Sequence, residues 1–468
     1  MTMIIITLVD TQKCLSFKMS TNTNKKTVIL FGAGAVLDWG GPLTLCWRDA
    51  YAMIPEHDTG EIYNRPCCLT HLMLVTGFKT QTGERITQRI FDRLKKNDPE
   101  SYVNFETILN VIEDLYAYWS AHSTKEKTNI YGIIDIDETL ADLHDFTVIH
   151  LPNANSYSLK VPDFILRDAD NISTKIDPHV KYYELLLKEL LSGIIGHVSK
   201  YGYASPTHKV YENGVNTINN NNFRYWMRHF LDEGRQLRLY TLNYDDIFKQ
   251  MLEQEGEKVF DGFYEYTDTG QYYAASNLTR IATDTSVTCH YNLHGSEFWK
   301  VEDLNASHLP GYQYLKSLPG VVHSSAASIE IERGKRILLT NIISGYQKVQ
   351  KTAISPFRQF FSALDRDCLE AEELYLIGYS YGDEHVNDII RNARRYNQNL
   401  RITLVNPGFD DYSFAINFLS NWGQPGPGLY EKMAENAVFS SRFKVLALKD
   451  KFSDFLAAFT DGRAGQYW

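Results

Sequence analysis

The first regular pattern along the chain is Thr27–Phe31, an apolar run that stops at Gly32-Ala33-Gly34-Ala35. A short apolar segment halted by glycines predicts a buried parallel strand that feeds a tight turn. From about residue 59 to 235 the period lengthens. Phe105, Ile108, Leu109, Ile112, Leu115, Tyr116 and Trp119 recur at steps of three and four, which gathers them on one helical face. Residues 182–195, rich in Leu and Ile, predict a buried helix. Phe223, Trp226, Met227, Phe230 and Leu231 predict another, with the asparagine run 219–222 as a loop before it. Short strand-like runs return at Leu237–Leu242, Thr288–Leu293, Leu374–Gly378, Ile402–Val405 and Phe443–Leu448. Most lead into polar or glycine turns and then helical stretches such as 383–395.

Strand, turn and helix in alternation predict an α/β fold: a doubly wound, mostly parallel, Rossmann-like sheet covered on both faces. The expected division is a core formed by 26–58 and 236–468, a large helical insertion at 59–235, and an N-terminal extension at 1–25. That extension reads as disordered or as an artefact of start-site choice, since Met19 directly precedes a polar lead-in to the first strand. Gly423–Gly428 reads as a surface loop.

Composition narrows the function classes. With 44% hydrophobic and 22% charged residues in 468, the chain has ample material for a core. A net charge of −10 makes it a poor electrostatic match for nucleic acid, and Arg391, Arg394 and Arg395 read as a solvated helix face. The six cysteines (14, 46, 67, 68, 289 and 368) form no C-x₂-C pair, so neither a zinc ribbon nor a disulfide framework is expected. They read as reduced thiols in a cytoplasmic protein with no metal. The apolar stretch Met1–Val9 is too short to span a bilayer and lacks a basic lead-in, and no later segment predicts a membrane span.

In an open α/β sheet, ligands bind beyond the carboxyl ends of the strands. Four such ends carry unusual residues. Gly32-Ala33-Gly34-Ala35 would let backbone approach a pyrophosphate, although Leu37 stands where the third glycine of the dinucleotide fingerprint belongs, and a turn built for packing alone would look the same. Tyr240–Asp245 places Asn243 and Asp245 where a plain helix N-cap also fits. Asn292–Ser296 places His294 after a strand, where a satisfied structural histidine is equally natural. Leu376–Asp383 holds Gly378 and Ser380 before a helix, with Asp383 as an ordinary cap.

Taken in order, the glycine turn, T-x-N-x-D, L-H-G, G-x-S and finally Leu404-Val405-Asn406 resemble the motif series of the sirtuin superfamily. The phrases TLNYDDIF, LHGS and IGYSYGDEHVNDII resemble, more narrowly, bacterial sirtuin-like NAD hydrolases of anti-phage defence. The resemblance spans roughly 26–58 and 236–450; within the insertion only the helix start Asn104-Phe105-Glu106 shares it. It implies that Gly32, Ala33, Gly34 and Ala35 cradle the pyrophosphate of NAD, and that Asn243 holds the nicotinamide ribose and the attacking water. It further implies that Asp245 contacts the carboxamide, that His294 is the general base, and that Gly378, Ser380 and Asn406 serve the adenosine half. Val36 replaces the serine usual in deacylating members, Gly40-Gly41-Pro42 replaces their Asp-Phe-Arg segment, and their zinc cysteines are missing. These departures favour hydrolysis of NAD to ADP-ribose and nicotinamide over protein deacylation. The resemblance also implies an abortive-infection effector controlled by homo-oligomer assembly or by an operon-encoded partner such as an ATPase or a short Argonaute.

Two other readings stand beside this one. Asp135-Ile-Asp137-Glu-Thr139 resembles the D-x-D-x-T loop of haloacid-dehalogenase-type phosphatases, with Gly382-Asp383 and Asp388 imitating their acidic Mg²⁺ motif. Glu138 replaces the usual glycine there, and about 245 residues separate the two pieces; the alternative is an acidic surface loop of the insertion. A non-catalytic nucleotide-sensing module is the third reading, against which Asn243 and His294 together argue.

Overall fold

The computed structural model describes residues 25–41, 53–54, 65–66, 68–79, 83–97, 103–120, 147–150, 157–161, 164–166, 177–202, 214–266, 273–304, 311–317, 326–332, 335–344, 348–408 and 431–463. Among the described residues eight strands form the main sheet: β1 (Lys26–Phe31), β2 (Gln236–Thr241), β3 (Cys289–Asn292), β4 (Glu373–Ile377), β5 (Arg401–Val405), β6 (Glu431–Ala434), β7 (Ala437–Ser440) and β8 (Val445–Leu448). Their spatial order is 6-7-8-5-4-1-2-3. The run 8-5-4-1-2-3 is parallel throughout, and β6 and β7 extend its edge as an antiparallel pair. This is the strand order of a doubly wound, Rossmann-like sheet, with the direction of winding reversing between β1 and β4.

Seven helices matter to the site: α1 (Phe105–Ser120), α2 (Pro178–Gly202), α3 (Gly214–Asp232), α4 (Ile247–Gln254), α5 (Phe357–Glu370), α6 (Glu384–Tyr396) and α7 (Phe452–Thr460). β1 is buried along its whole length and divides its side chains between two cores. Ile29 and Phe31 face α3, α4 and α7, where Phe31 stacks on Phe248 at 4.2 Å between ring centroids and Phe223 stacks on Phe248 at 5.0 Å. Val28 and Leu30 face α5 and α6. Alternation of period two on a strand covered on both sides leaves no polar face, which is why Thr27–Phe31 reads as one apolar run.

A buried charge network ties the sheet to α5. Asp367 accepts hydrogen bonds from Lys26 Nζ (2.9 Å), Arg238 Nε (2.6 Å) and Tyr240 Oη (2.5 Å). Each strand that meets α5 here contributes a partner, so no charge in the group is buried alone.

The segment expected to be a helical insertion contains α1 and α2, packed on each other, together with a three-stranded antiparallel sheet of Thr147–His150, Tyr157–Val161 and Phe164–Leu166. Its last helix, α3, lies on the main sheet itself, with Trp226 edge-on to Tyr375 at 5.2 Å. The asparagine run expected as a loop is helical, inside α3. Asn220 Oδ1 accepts the Trp39 indole N–H at 2.6 Å, and Asn222 Oδ1 accepts the Thr460 hydroxyl at 3.2 Å. Tertiary partners there override the weak helix propensity of asparagine.

Residues 1–24, the Asp135–Asp145 loop, Gly423–Gly428 and Cys14, Cys46 and Cys67 lie outside the described residues. Among the described residues no helix is long and apolar enough to cross a membrane.

Candidate active site

The carboxyl ends of β1, β2, β3 and β4 open on one cavity beside the point where the winding reverses. Its wall includes Gly32 and Ala33 after β1, Leu242, Asn243 and Tyr244 after β2, His294 after β3, and Tyr379, Ser380 and Asp383 after β4. The remainder comes from elsewhere in the chain: Val36, Leu69, Phe105 and Glu106 of α1, Val198 of α2, and Lys348. The empty space is about 650 Å³, counting the open solvent at its mouth.

Local chemistry explains each position. The turns after β1 and β4 interlock backbone against backbone. Gly34 donates its N–H to the Gly378 carbonyl at 3.0 Å, Gly32 to Ile377 at 2.9 Å, and Ala35 to Gly32 at 3.0 Å. Gly378 has φ +62°, and a Cβ on it would overlap the backbone of Gly34 and Ala35. Much of the polarity of the glycine turn is therefore spent on turn-to-turn packing. Gly32 and Ala33 face the cavity; Gly34 and Ala35 do not line it. After Gly378 the chain also holds Tyr381 at φ +61°, a conformation costly for a side chain that bears a Cβ.

Asn243 donates from Nδ2 to the Gly32 carbonyl at 3.0 Å, and its backbone N–H is held by Thr241 Oγ1 at 3.0 Å. The β1 and β2 turns are thereby joined through the side chain expected at the ribose. Asp245 lies deeper. It is buried, its Oδ1 accepts the Ile247 N–H at 3.2 Å at the start of α4, and it does not line the cavity. Asn292 secures the same loop from β3 through Nδ2 to the Asp245 carbonyl at 3.0 Å.

His294 is 2% exposed. Its placement depends on Gly295, whose φ is +86° and whose missing Cβ admits the Asn341 carbonyl; the Ile343 N–H closes on the His294 carbonyl at 2.6 Å. The imidazole interacts with the Leu242 carbonyl, while Nε2 has no hydrogen-bond partner among the described residues. This network assigns the proton to Nδ1 and leaves the Nε2 lone pair bare. Burial pushes the imidazole down to about 3, against the opposing charge of Asp383, so the ring is neutral near pH 7.

Asp383 occupies the N-cap position of α6 but makes no side-chain cap bond. Its Oδ1 lies 3.8 Å from His294 Nε2 and accepts Lys348 Nζ at 2.9 Å. Burial alone would raise this carboxyl, but His294 and Lys348 hold it at about 2. Lys348 also pairs with Glu106 at 2.6 Å, so one ammonium stands between two carboxylates. Glu106 sits in the first turn of α1, held by reciprocal bonds between Asn104 and Thr107: Thr107 N–H to Asn104 Oδ1 at 3.0 Å and Asn104 N–H to Thr107 Oγ1 at 3.4 Å. Burial raises the Glu106 carboxyl, and Lys348 opposes the rise.

Ser380 is exposed on the cavity wall. Asn406 does not line the cavity; its Nδ2 donates to the Tyr379 carbonyl at 3.0 Å and its Oδ1 accepts the Gly408 N–H at 2.9 Å, so it shapes the turn that presents Ser380. Of the residues singled out in the sequence, the structure brings together Gly32, Ala33, Asn243, His294 and Ser380, with Gly378 directly beneath. Glu106, Lys348, Tyr379 and Asp383 complete the wall without having been assigned a role there. Asp388, the second half of the phosphatase-like motif, is 65% exposed and pairs with Arg391 at 2.5 Å on the outer face of α6. Arg391 also pairs with Glu384 on that outer face.

Donor chemistry permits one more ligand type. The donor atoms of His294, Asp383 and His385 all lie within 4.8 Å of one another.

Residues 237–415 match the family described as SIR2-like domain. That range holds Asn243, His294, Gly378, Ser380, Asp383 and Asn406 and leaves out the glycine turn after β1. Among solved structures, the chain is similar to a point mutant of a Sir2 homologue in complex with ADP-ribose, at 12% identity and a TM-score of 0.31, over 62% of this chain and 78% of that one. No curated protein matches the chain.

Proposed function

We propose that this protein hydrolyses NAD to ADP-ribose and nicotinamide in the cavity at the ends of β1–β4. The observation that carries the reading is the bare, buried Nε2 of His294 in one cavity with Asn243 and the Gly32–Ala33 turn. The match of 237–415 to a SIR2-like domain supports a nicotinamide-dinucleotide substrate.

In this reaction a water oxygen bonds to C1′ of the nicotinamide ribose. The C1′–N bond breaks with its electron pair going to the pyridine ring, so nicotinamide leaves neutral and needs no acid. The water proton passes to His294 Nε2. A base whose conjugate acid titrates near 3 is weak, so proton transfer comes late, after positive charge has built up on the ribose. The carboxylate of Asp383, held ionised beside that centre, favours an oxocarbenium-like transition state. Asn243, fixed through Nδ2 to Gly32, orients the ribose and the water with its remaining polar groups. The helical segment takes part directly, since Phe105, Glu106 and Val198 wall the cavity.

The phrases shared with anti-phage proteins carry the wider proposal: an abortive-infection effector that depletes cellular NAD, restrained by self-assembly or by a partner such as an ATPase or a short Argonaute. The deciding experiment is chromatography of NAD incubated with the purified chain, alone and in phage-challenged cells. Wild type should release nicotinamide and ADP-ribose in equal amounts, and His294→Ala and Asn243→Ala should release neither. Undiminished release by both variants would overturn the reading.

A further inference from the structure

A second imidazole stands close to Asp383. The ring of His385 lies 6.3 Å from that of His294 and is held edge-on against Phe361 at 4.8 Å. Its Nε2, like that of His294, is buried with no hydrogen-bond partner among the described residues. Two unpartnered imidazole nitrogens, one on a residue only 2% exposed, thus flank a carboxylate that its own helix does not use as a cap. Burying such nitrogens without a partner is costly unless something else satisfies them.

We propose that His294, Asp383 and His385 form a binding site for a divalent transition-metal ion of the zinc type, and that the bound ion silences the site by occupying the lone pair His294 uses as a base. The binding half stands without the function proposed above; the silencing half rests on it.

Two neutral imidazoles and one carboxylate select zinc-like ions over magnesium or calcium, which require mostly oxygen donors. Ligands about 2.0–2.1 Å from a tetrahedral ion stand about 3.3 Å apart. Binding would require side-chain rotation to close the present 4.8 Å spread to that, with water as the fourth ligand. Lys348 is the local competitor, because its ammonium already sits on Asp383 at 2.9 Å. It has a second partner in Glu106 at 2.6 Å, so it can leave Asp383 to the ion without losing a counter-charge. Asp383 would then exchange an ammonium for a metal, and the substrate and the ion would compete for one cavity.

The test is equilibrium dialysis of the full chain, stripped with chelator, against zinc chloride without NAD, followed by cobalt(II) as a spectroscopic probe. Wild type should take up one ion per chain at this site, and His385→Gln should bind it at least tenfold more weakly. Lys348→Met should bind several-fold more tightly, a gain that a misfolded protein cannot produce. The cobalt bands lost in His385→Gln should carry no thiolate charge transfer, which separates this site from the cysteines. Equal zinc affinity in wild type and His385→Gln, or cobalt spectra dominated by thiolate in both, overturns the site. Zinc that binds through His385 yet leaves NAD hydrolysis unchanged at saturation overturns the silencing. A chain that binds zinc in this way but never hydrolyses NAD counts against the proposed function alone.

Discussion

His294 Nε2 lies 3.8 Å from Asp383 Oδ1, too far for a hydrogen bond and close enough for the two to share one electrostatic fate. Asp383 favours a proton on the imidazole, Lys348 disfavours it, and burial outweighs both, which places the ring at about 3. A base works only while unprotonated, so its activity is lost as pH falls through its pKa. The acid limb of kcat/KM for NAD hydrolysis should therefore lie well below the ordinary histidine value of about 6.5, with a flat profile from about pH 5 to 8. Lys348→Met removes the opposing positive charge and should move the limb upward into the measurable range. A wild-type limb near 6.5, unmoved in Lys348→Met, would show that a different group is the base.

Gly295 makes a separate prediction about positioning. Its φ of +86° and the space taken by the Asn341 carbonyl leave no room for a Cβ. Gly295→Ala should cost about 1–3 kcal/mol of stability in backbone strain and displace His294 from Asn243. At a temperature where the variant is still folded by circular dichroism, kcat should fall at least a hundredfold, since a misplacement of about 1 Å can cost that much. Full activity in a destabilised but folded variant would mean that the turn serves stability alone.

Legibility followed the range of the interactions. The core strands, and with them the doubly wound sheet, were readable because a strand covered on both faces writes its burial into adjacent residues, as Thr27–Phe31 does. Asn243, His294 and Ser380 were readable because each follows a strand. Lys348 and Glu106 were not, because their partnership joins positions 106 and 348 through the packing of α1 on the core. The asparagines of α3 are illegible for the same reason: buried Asn220 meets Trp39 and Asn222 meets Thr460, both far away in the chain. The glycine turn is legible as a turn, but nothing local shows that the Gly32 and Gly34 amides serve Ile377 and Gly378. No local pattern distinguishes a turn that binds a phosphate from one that binds another turn.

Two lysines staple the short helix Lys348–Thr352 to α1. Lys348 meets Glu106, and Lys351 meets Glu113 at 2.5 Å with both side chains under 5% exposed. Glu106 and Glu113 are two turns apart on one face of α1, and Lys348 and Lys351 are one turn apart on theirs. Burial raises the Glu113 carboxyl, and Lys351 opposes that rise. Lys351→Met alone should destabilise the fold by about 3–5 kcal/mol in urea unfolding, because it strands a buried acid. The double variant Glu113→Gln/Lys351→Met should recover most of that loss. An additive double variant would mean that the two side chains do not act as a pair.

Asp114, next to Glu113, is buried, and neither carboxylate oxygen has a hydrogen-bond partner among the described residues. Burial, and then the charge of Glu113, push it up to about 8. In the folded protein it therefore keeps a proton that the unfolded chain releases above about 3.9. Between these two values the folded state binds more protons, and stability must fall as pH rises, by up to about 1.4 kcal/mol per pH unit. Below the lower value both states are protonated and the penalty vanishes. Asp114→Asn, which carries no charge to release, should raise Tm by several degrees at about pH 7.5 and leave it unchanged near pH 4. The difference between the two proteins should grow steadily across that window. If their unfolding free energies run parallel instead, Asp114 is ionised in the fold, and a partner for its charge must be sought on the neighbouring faces of α1.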